Sequence, residues 1–140
     1  MSLEENKKAL QRLINEAWNN GNLQAVEELV SQKFSYKDTL GNEFKGIDGY
    51  SRMVSNWRKA FPDCHYAHDL IIGEGDWISV IVSFTGTFTG ELAKFQPNGK
   101  SVSWRTSGYY RWINGKLEEF IQFADYLNAY RQLGIIPLYM

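Results

Sequence analysis

The chain is poor in the residues that staple, chelate or kink. It has one cysteine, Cys64, two histidines and three prolines in 140 residues. A lone cysteine excludes an internal disulfide and a paired-cysteine metal knuckle. The two histidines and scattered carboxylates form no HxH or HxxxH spacing, so no metal site is expected. No apolar run approaches the 18 or so residues that span a bilayer, and the first residues lack a signal-peptide pattern. A soluble, cytoplasmic protein is therefore expected. Charge of one sign is also missing: 15 Lys and Arg stand against 16 Asp and Glu, for a net −1. That balance gives no field to gather nucleic acid or an anionic membrane, and neither is expected as a partner.

Aromatic residues are abundant, with five Trp, eight Tyr and eight Phe. In a small domain such side chains over-fill a core or line a pocket for a flat apolar ligand. The length suits one domain over 1–140, able to bury about two-thirds of its surface without covalent help.

Leu10, Leu13, Ile14, Ala17 and Trp18 follow a helix stripe that stops at Asn19-Asn20-Gly21. A second, shorter helix capped by Asn22 carries Leu23, Val26, Leu29 and Val30. Phe34–Tyr36 reads as a strand, and Gly41 and Gly46 bracket a loop. Asp48 caps a third helix with Tyr50, Met53, Val54, Trp57 and Phe61 on one face, ended by Pro62. The period then changes to two. Strands are predicted over 65–72, 77–87, 100–113 and 116–124, the last two joined by an Asn114-Gly115 turn. Asp125 caps a final helix closed by Gly134. The order ααβαββββα defines an α+β fold with helices on one face of an antiparallel sheet. The other face carries aromatics as well, which predicts a homodimer through it.

Several short strings carry a resemblance: Trp18-Asn19-x-Gly21, Phe61-Pro62-Asp63, Glu74-Gly75-Asp76, Gly86-Thr-Phe-Thr-Gly90-Glu91, Pro97-x-Gly99, Gly115-Lys116-Leu117-x-Glu119, Asp125, and Gln132-Leu133-Gly134 with Pro137. In this order and spacing the chain resembles the SnoaL-like polyketide cyclases, relatives of nuclear transport factor 2 and ketosteroid isomerase. The resemblance implies a cone, in which a curved antiparallel sheet wraps around the first helix and encloses an apolar pocket. It also implies a cofactor-free intramolecular aldol closure, with the residue at Asp125 as acid/base. Phe88, Phe120, Ile121, Lys37 and Gly108 stand where relatives often carry His, Trp or Asp, so the polar chemistry of the pocket is thinned.

The expected catalytic residues are Asp125 and His68, the latter orienting a carbonyl or sharing a proton with Asp125. Asp125 can equally be a plain helix cap, and His68 a structural strand residue. Alternation along the strands and helices gathers Trp18, Tyr36, Trp57, Phe61, Phe84, Trp104, Phe123 and Tyr130 as lining for a small apolar molecule, or as ordinary core. Asp125 is expected at the wall of an enclosed cavity among Trp18, Trp57, Phe84, Trp104 and Phe123. An enzyme of the cyclase or isomerase type, a hydrophobic-ligand binder and a scaffold dimer all fit these residues. Epoxide hydrolysis needs two carboxylates and an arginine around a water, a set that Arg105 and Asp125 only partly supply.

Overall fold

A computed structural model describes residues 1–136. Pro137 of the tail motif lies outside them. Helix α1 (Leu3–Leu13) starts at a capping box, in which the Ser2 hydroxyl accepts from the Glu5 N–H and the Glu5 carboxylate accepts from the Ser2 N–H. It runs on into a π-helical turn, Ile14–Asn19, so the predicted four-turn helix is wider in its last turn. Then come α2 (Gln24–Leu29), β1 (Val30–Asp38), β2 (Glu43–Lys45), α3 (Gly46–Ala60), β3 (His65–Glu74), β4 (Trp77–Thr87), β5 (Ser101–Ile113), β6 (Lys116–Ala124) and α4 (Tyr126–Gln132).

Two details depart from the expected order. The loop between Gly41 and Gly46 contains β2, and α3 begins at Gly46, so Asp48 sits in its first turn and is not its cap. The curved sheet has the order β2-β1-β6-β5-β4-β3. All its pairings are antiparallel except β1 with β6, which are parallel.

Along β5 the alternation holds as predicted: Val102, Trp104, Thr106, Gly108, Tyr110 and Trp112 face the helices and are buried. The Asn114-Gly115 turn is also as predicted, with both residues at positive φ and Ile113 paired to Lys116. Past the turn the ladder is irregular. Trp112 pairs with Leu117 and Arg111 with Glu119, leaving Glu118 as an extra residue in a β-bulge. One inserted residue exchanges the two faces of everything beyond it. Phe120, Gln122 and Ala124 therefore point inward, while Glu119, Ile121 and Phe123 point out.

The interior divides into two apolar clusters. The larger joins α1, the π turn, α2 and α3 to the sheet around Leu10, Ile14, Phe34, Tyr50, Ile78, Tyr110 and Phe120. The smaller, under α4, holds Phe61, Phe84, Phe88, Trp104 and Leu133. Side-chain amides pair with strand backbone in two places, on the edge strand β3 and on the stretch of β5 that extends past the end of β6. Asn19 receives the Tyr66 N–H at 2.7 Å and donates to the Tyr66 carbonyl at 3.0 Å, as a neighbouring strand would. Gln132 does the same for Ser103, at 2.8 and 2.6 Å. Both contacts protect exposed strand edge from further pairing.

Candidate functional site

The concave face encloses a small hydrophobic pocket of about 30 Å³, walled by Ile14, Trp18, Tyr66, Val82, Thr106, Tyr110, Phe120 and Gln122. Trp18 is fixed from the helix side, its indole N–H donating to the fully buried Tyr50 hydroxyl at 2.8 Å. The Tyr110 and Phe120 rings stack with centroids 4.3 Å apart at 14°. They lie over Gly108, where any Cβ would stand 2.8 Å from a carbon of each ring. The stack fills space that a side chain at position 108 would otherwise take, and this keeps the cavity small.

Gln122 is held from the other side. The Tyr36 hydroxyl stands 2.9 Å from Gln122 Oε1 and 2.8 Å from Asp38 Oδ2. Asp38 also accepts the Leu40 and Asn42 N–H groups on Oδ1 and the Asn42 side-chain amide on Oδ2, which closes the β1–β2 loop. Burial is the main cause that pushes the Tyr36 and Tyr126 phenols above their ordinary values, so both stay protonated donors.

Asp125 is not in this cavity. Its carboxylate is exposed and accepts the Asn128 N–H at 3.3 Å as the N-cap of α4. The expectation of an enclosed Asp125 is corrected by the Glu118 bulge, which turns the strand face of Phe123 and Asp125 outward. For the same reason Phe123 does not line the pocket; it is 48% exposed and packs edge-on to Tyr109.

His68 is on the concave face. It is paired in register with Val82 and lies two residues from Tyr66, both part of the cavity wall. Its Nε2 is buried without a hydrogen-bond partner among the described residues. Burial depresses its pKa below 6.5, only partly opposed by the neighbouring Asp69 charge. His68, Val82, Thr106 and Ala124 form one row across β3, β4, β5 and β6. Three strand spacings of about 4.8 Å put His68 about 14 Å from the β6 end that carries Asp125, so the structure does not bring the two together.

Of the predicted lining residues, Trp18 is at the cavity and Tyr36 stands behind Gln122. Trp57, Phe61, Phe84 and Trp104 pack on one another instead, with centroids 4.7 to 6.2 Å apart. Tyr130 rests half-buried against that cluster. These are not walls of the cavity. Sequence reasoning missed Ile14, Tyr66, Val82, Thr106, Tyr110, Phe120 and Gln122 as lining. Thr106 and Tyr110 share the strand face of Trp104, which was a usable signal. A larger open cleft of about 310 Å³ lies elsewhere, lined by Asp63, Thr85, Gly86, Thr87, Ser101, Val102 and Ser103, and contains none of the predicted residues. Among the described residues no group of three metal-ligating side chains converges, and no helix is long and apolar enough to cross a membrane.

A curved sheet closed over helices around an apolar pocket is the α+β fold also seen in an NTF2-like protein of Burkholderia pseudomallei and a ketosteroid isomerase-like protein of Catenulispora acidiphila, each with a TM-score of 0.76. Within it the chain belongs to the SnoaL-like polyketide cyclase family, which it matches over residues 8–133. It is 26% identical over 128 residues to aklanonic acid methyl ester cyclase DnrD of Streptomyces peucetius, covering 89% of this chain and 88% of that one. It is 26% identical over 136 residues to the corresponding cyclase AcmA of Streptomyces galilaeus, covering 94% and 92%. Among solved structures, a SnoaL-like polyketide cyclase homologue from Jannaschia sp. CCS1 superposes with a TM-score of 0.88 at 20% identity, covering 98% of each chain. AclR, a candidate hydroxylase of Streptomyces galilaeus, gives 0.85 at 26% identity, covering 99% and 87%.

Proposed function

We propose that the chain is a cofactor-free acid/base catalyst of the cyclase or isomerase type, moving a proton on an apolar carbonyl compound held in the cone. The observation that carries this reading is His68. His68 stands behind the cavity wall, next to Tyr66 and Val82, and its desolvated imidazole with an unpartnered Nε2 is neutral at pH 7, able to accept a proton from an activated carbon once the Tyr66 ring gives way. The cavity of about 30 Å³ is far below the few hundred Å³ of ordinary small-molecule sites, so a substrate enters by displacing the half-buried Trp18 and Tyr66 rings.

The test is hydrogen–deuterium exchange at carbons next to a carbonyl. Aklanonic acid methyl ester, named for the relatives, is the first compound to try, followed by smaller 1,3-dicarbonyls in D₂O. The protein should accelerate exchange, and His68→Gln should lower that acceleration by about 10²–10⁴-fold. No exchange on any of them, or an unaffected variant, overturns the reading.

A second reading, a non-catalytic ligand-binding or scaffold dimer, is favoured by the narrow cavity and by Asp125 serving as an exposed cap. In both readings the chain pairs with a second copy through the convex sheet face. Leu70, Ile72, Trp77, Tyr109 and Phe123 stand exposed there, a set that water disfavours. Light scattering at micromolar concentration should give twice the monomer mass, and a strict monomer refutes the pairing.

A further inference from the structure

We infer that the Gln122 side-chain amide and the Thr106 hydroxyl form a two-donor site for a carbonyl or enolate oxygen on the cavity floor, with Tyr36 and Asp38 as positioning residues. The inference rests on the reading of the cone as a carbonyl site and adds the groups that would bind the oxygen.

Gln122 and Thr106 both wall the cavity. Gln122 pairs with Gly108 and Thr106 with Ala124, so the two are diagonal neighbours on adjacent strands, within about 7–8 Å at their Cα atoms. Thr106 is buried, a position where an apolar residue would pack without desolvation cost.

The direction of the amide comes from counting donors. Tyr36 has one hydroxyl proton and two acceptors within 3.5 Å, Gln122 Oε1 at 2.9 Å and Asp38 Oδ2 at 2.8 Å, and the Tyr126 phenol beside them gives Asp38 a further donor. Asp38 has three other donors, from Leu40 and Asn42. Gln122 Oε1 has Tyr36 alone among the described residues. Polar satisfaction is greatest when Tyr36 donates to Gln122. With Oε1 latched, the –NH₂ end of the amide is left for the cavity.

Two donors on one wall of the pocket, one of them held by the Tyr36 latch, stabilise negative charge that develops on an oxygen between them. His68 is two strand spacings, about 10 Å, from Thr106 along the same row. A proton leaving toward the imidazole would send its electron pair toward the oxygen held at the opposite end.

The test compares cyclopentanone with methylenecyclopentane, which has the same shape but no acceptor oxygen. Binding is monitored through the Trp18 indole N–H in ¹H–¹⁵N spectra. The ketone should bind about tenfold more tightly, one net hydrogen bond's worth. Gln122→Met and Thr106→Val should each narrow the ratio, and the double variant should bring it close to one. Tyr36→Phe, which releases the latch, should narrow the ratio without removing Gln122. Equal binding of the two probes by the unmodified protein, or a ratio unchanged in Gln122→Met, overturns the two-donor site and leaves the cone a ligand site. If neither probe shifts Trp18, the reading of the cone as a carbonyl site falls and this inference falls with it.

Discussion

Replacing Gly108 by alanine tests whether the Tyr110–Phe120 stack controls the cavity. The new Cβ would lie 2.8 Å from Phe120 Cε1, 2.8 Å from Tyr110 Cε2 and 3.1 Å from Tyr110 Cζ. Carbon pairs are most favourable at about 3.5–4.0 Å, so each ring must withdraw by about 0.7 Å or more. Phe120 cannot retreat toward β1, because Tyr36 packs edge-on against it at 5.1 Å. The cavity is the free direction, and at about 30 Å³ it is comparable to one methyl group. Overpacking of a tight core costs about 1–3 kcal/mol. Removing a mid-strand glycine returns about 0.5–1 kcal/mol. The net expectation is a loss of about 1–2 kcal/mol, which at this chain length lowers Tm by about 3–8 °C. Near-ultraviolet circular dichroism during a thermal melt reads both the stability and the aromatic packing. The double variant Gly108→Ala, Phe120→Leu removes one ring contact and should recover part of the loss. A Gly108→Ala protein as stable as the unmodified one, with unchanged aromatic signal, would show that these rings are not held in place over the glycine.

Three further outcomes rest on particular contacts. Asp125→Asn should leave stability and any turnover nearly unchanged, whereas Asp125→Ala should cost about 1 kcal/mol by melting, since only the cap on Asn128 is lost. Deleting Glu118 removes the bulge and exchanges the faces beyond it, burying Ile121 and Phe123 and exposing Phe120 and Gln122; cooperative unfolding should be lost, and a deletion variant that melts like the parent would refute the register. His68 should titrate below 6.5 by NMR. With the folded pKa below the unfolded one, the unfolded chain binds more protons between the two, so stability falls as pH drops from about 6.5 to the folded value. His68→Gln should flatten that limb of the stability profile, and an imidazole titrating at or above 6.5 would contradict its burial.

Apolar spacing and turn chemistry are local properties, and they settled most of the fold. The stripe from Leu10 to Trp18, the alternation along Ser101–Ile113 and the Asn114-Gly115 turn each lie within a few residues of the contacts they specify. The short motifs from Trp18 to Leu133, in order, were enough to identify the family. The face of β6 was not legible, because alternation assumes an unbroken ladder and a single extra residue at Glu118 reverses it. That one residue decided that Asp125 caps a helix in solvent and that Gln122 reaches the interior. Only the tertiary structure could join Tyr36, Asp38 and Gln122, which are up to 86 residues apart and meet through the parallel pairing of β1 with β6. Only the tertiary structure could show that so many aromatic rings leave about 30 Å³ of open space, because packed volume depends on how rings from different strands interlock and composition does not record it.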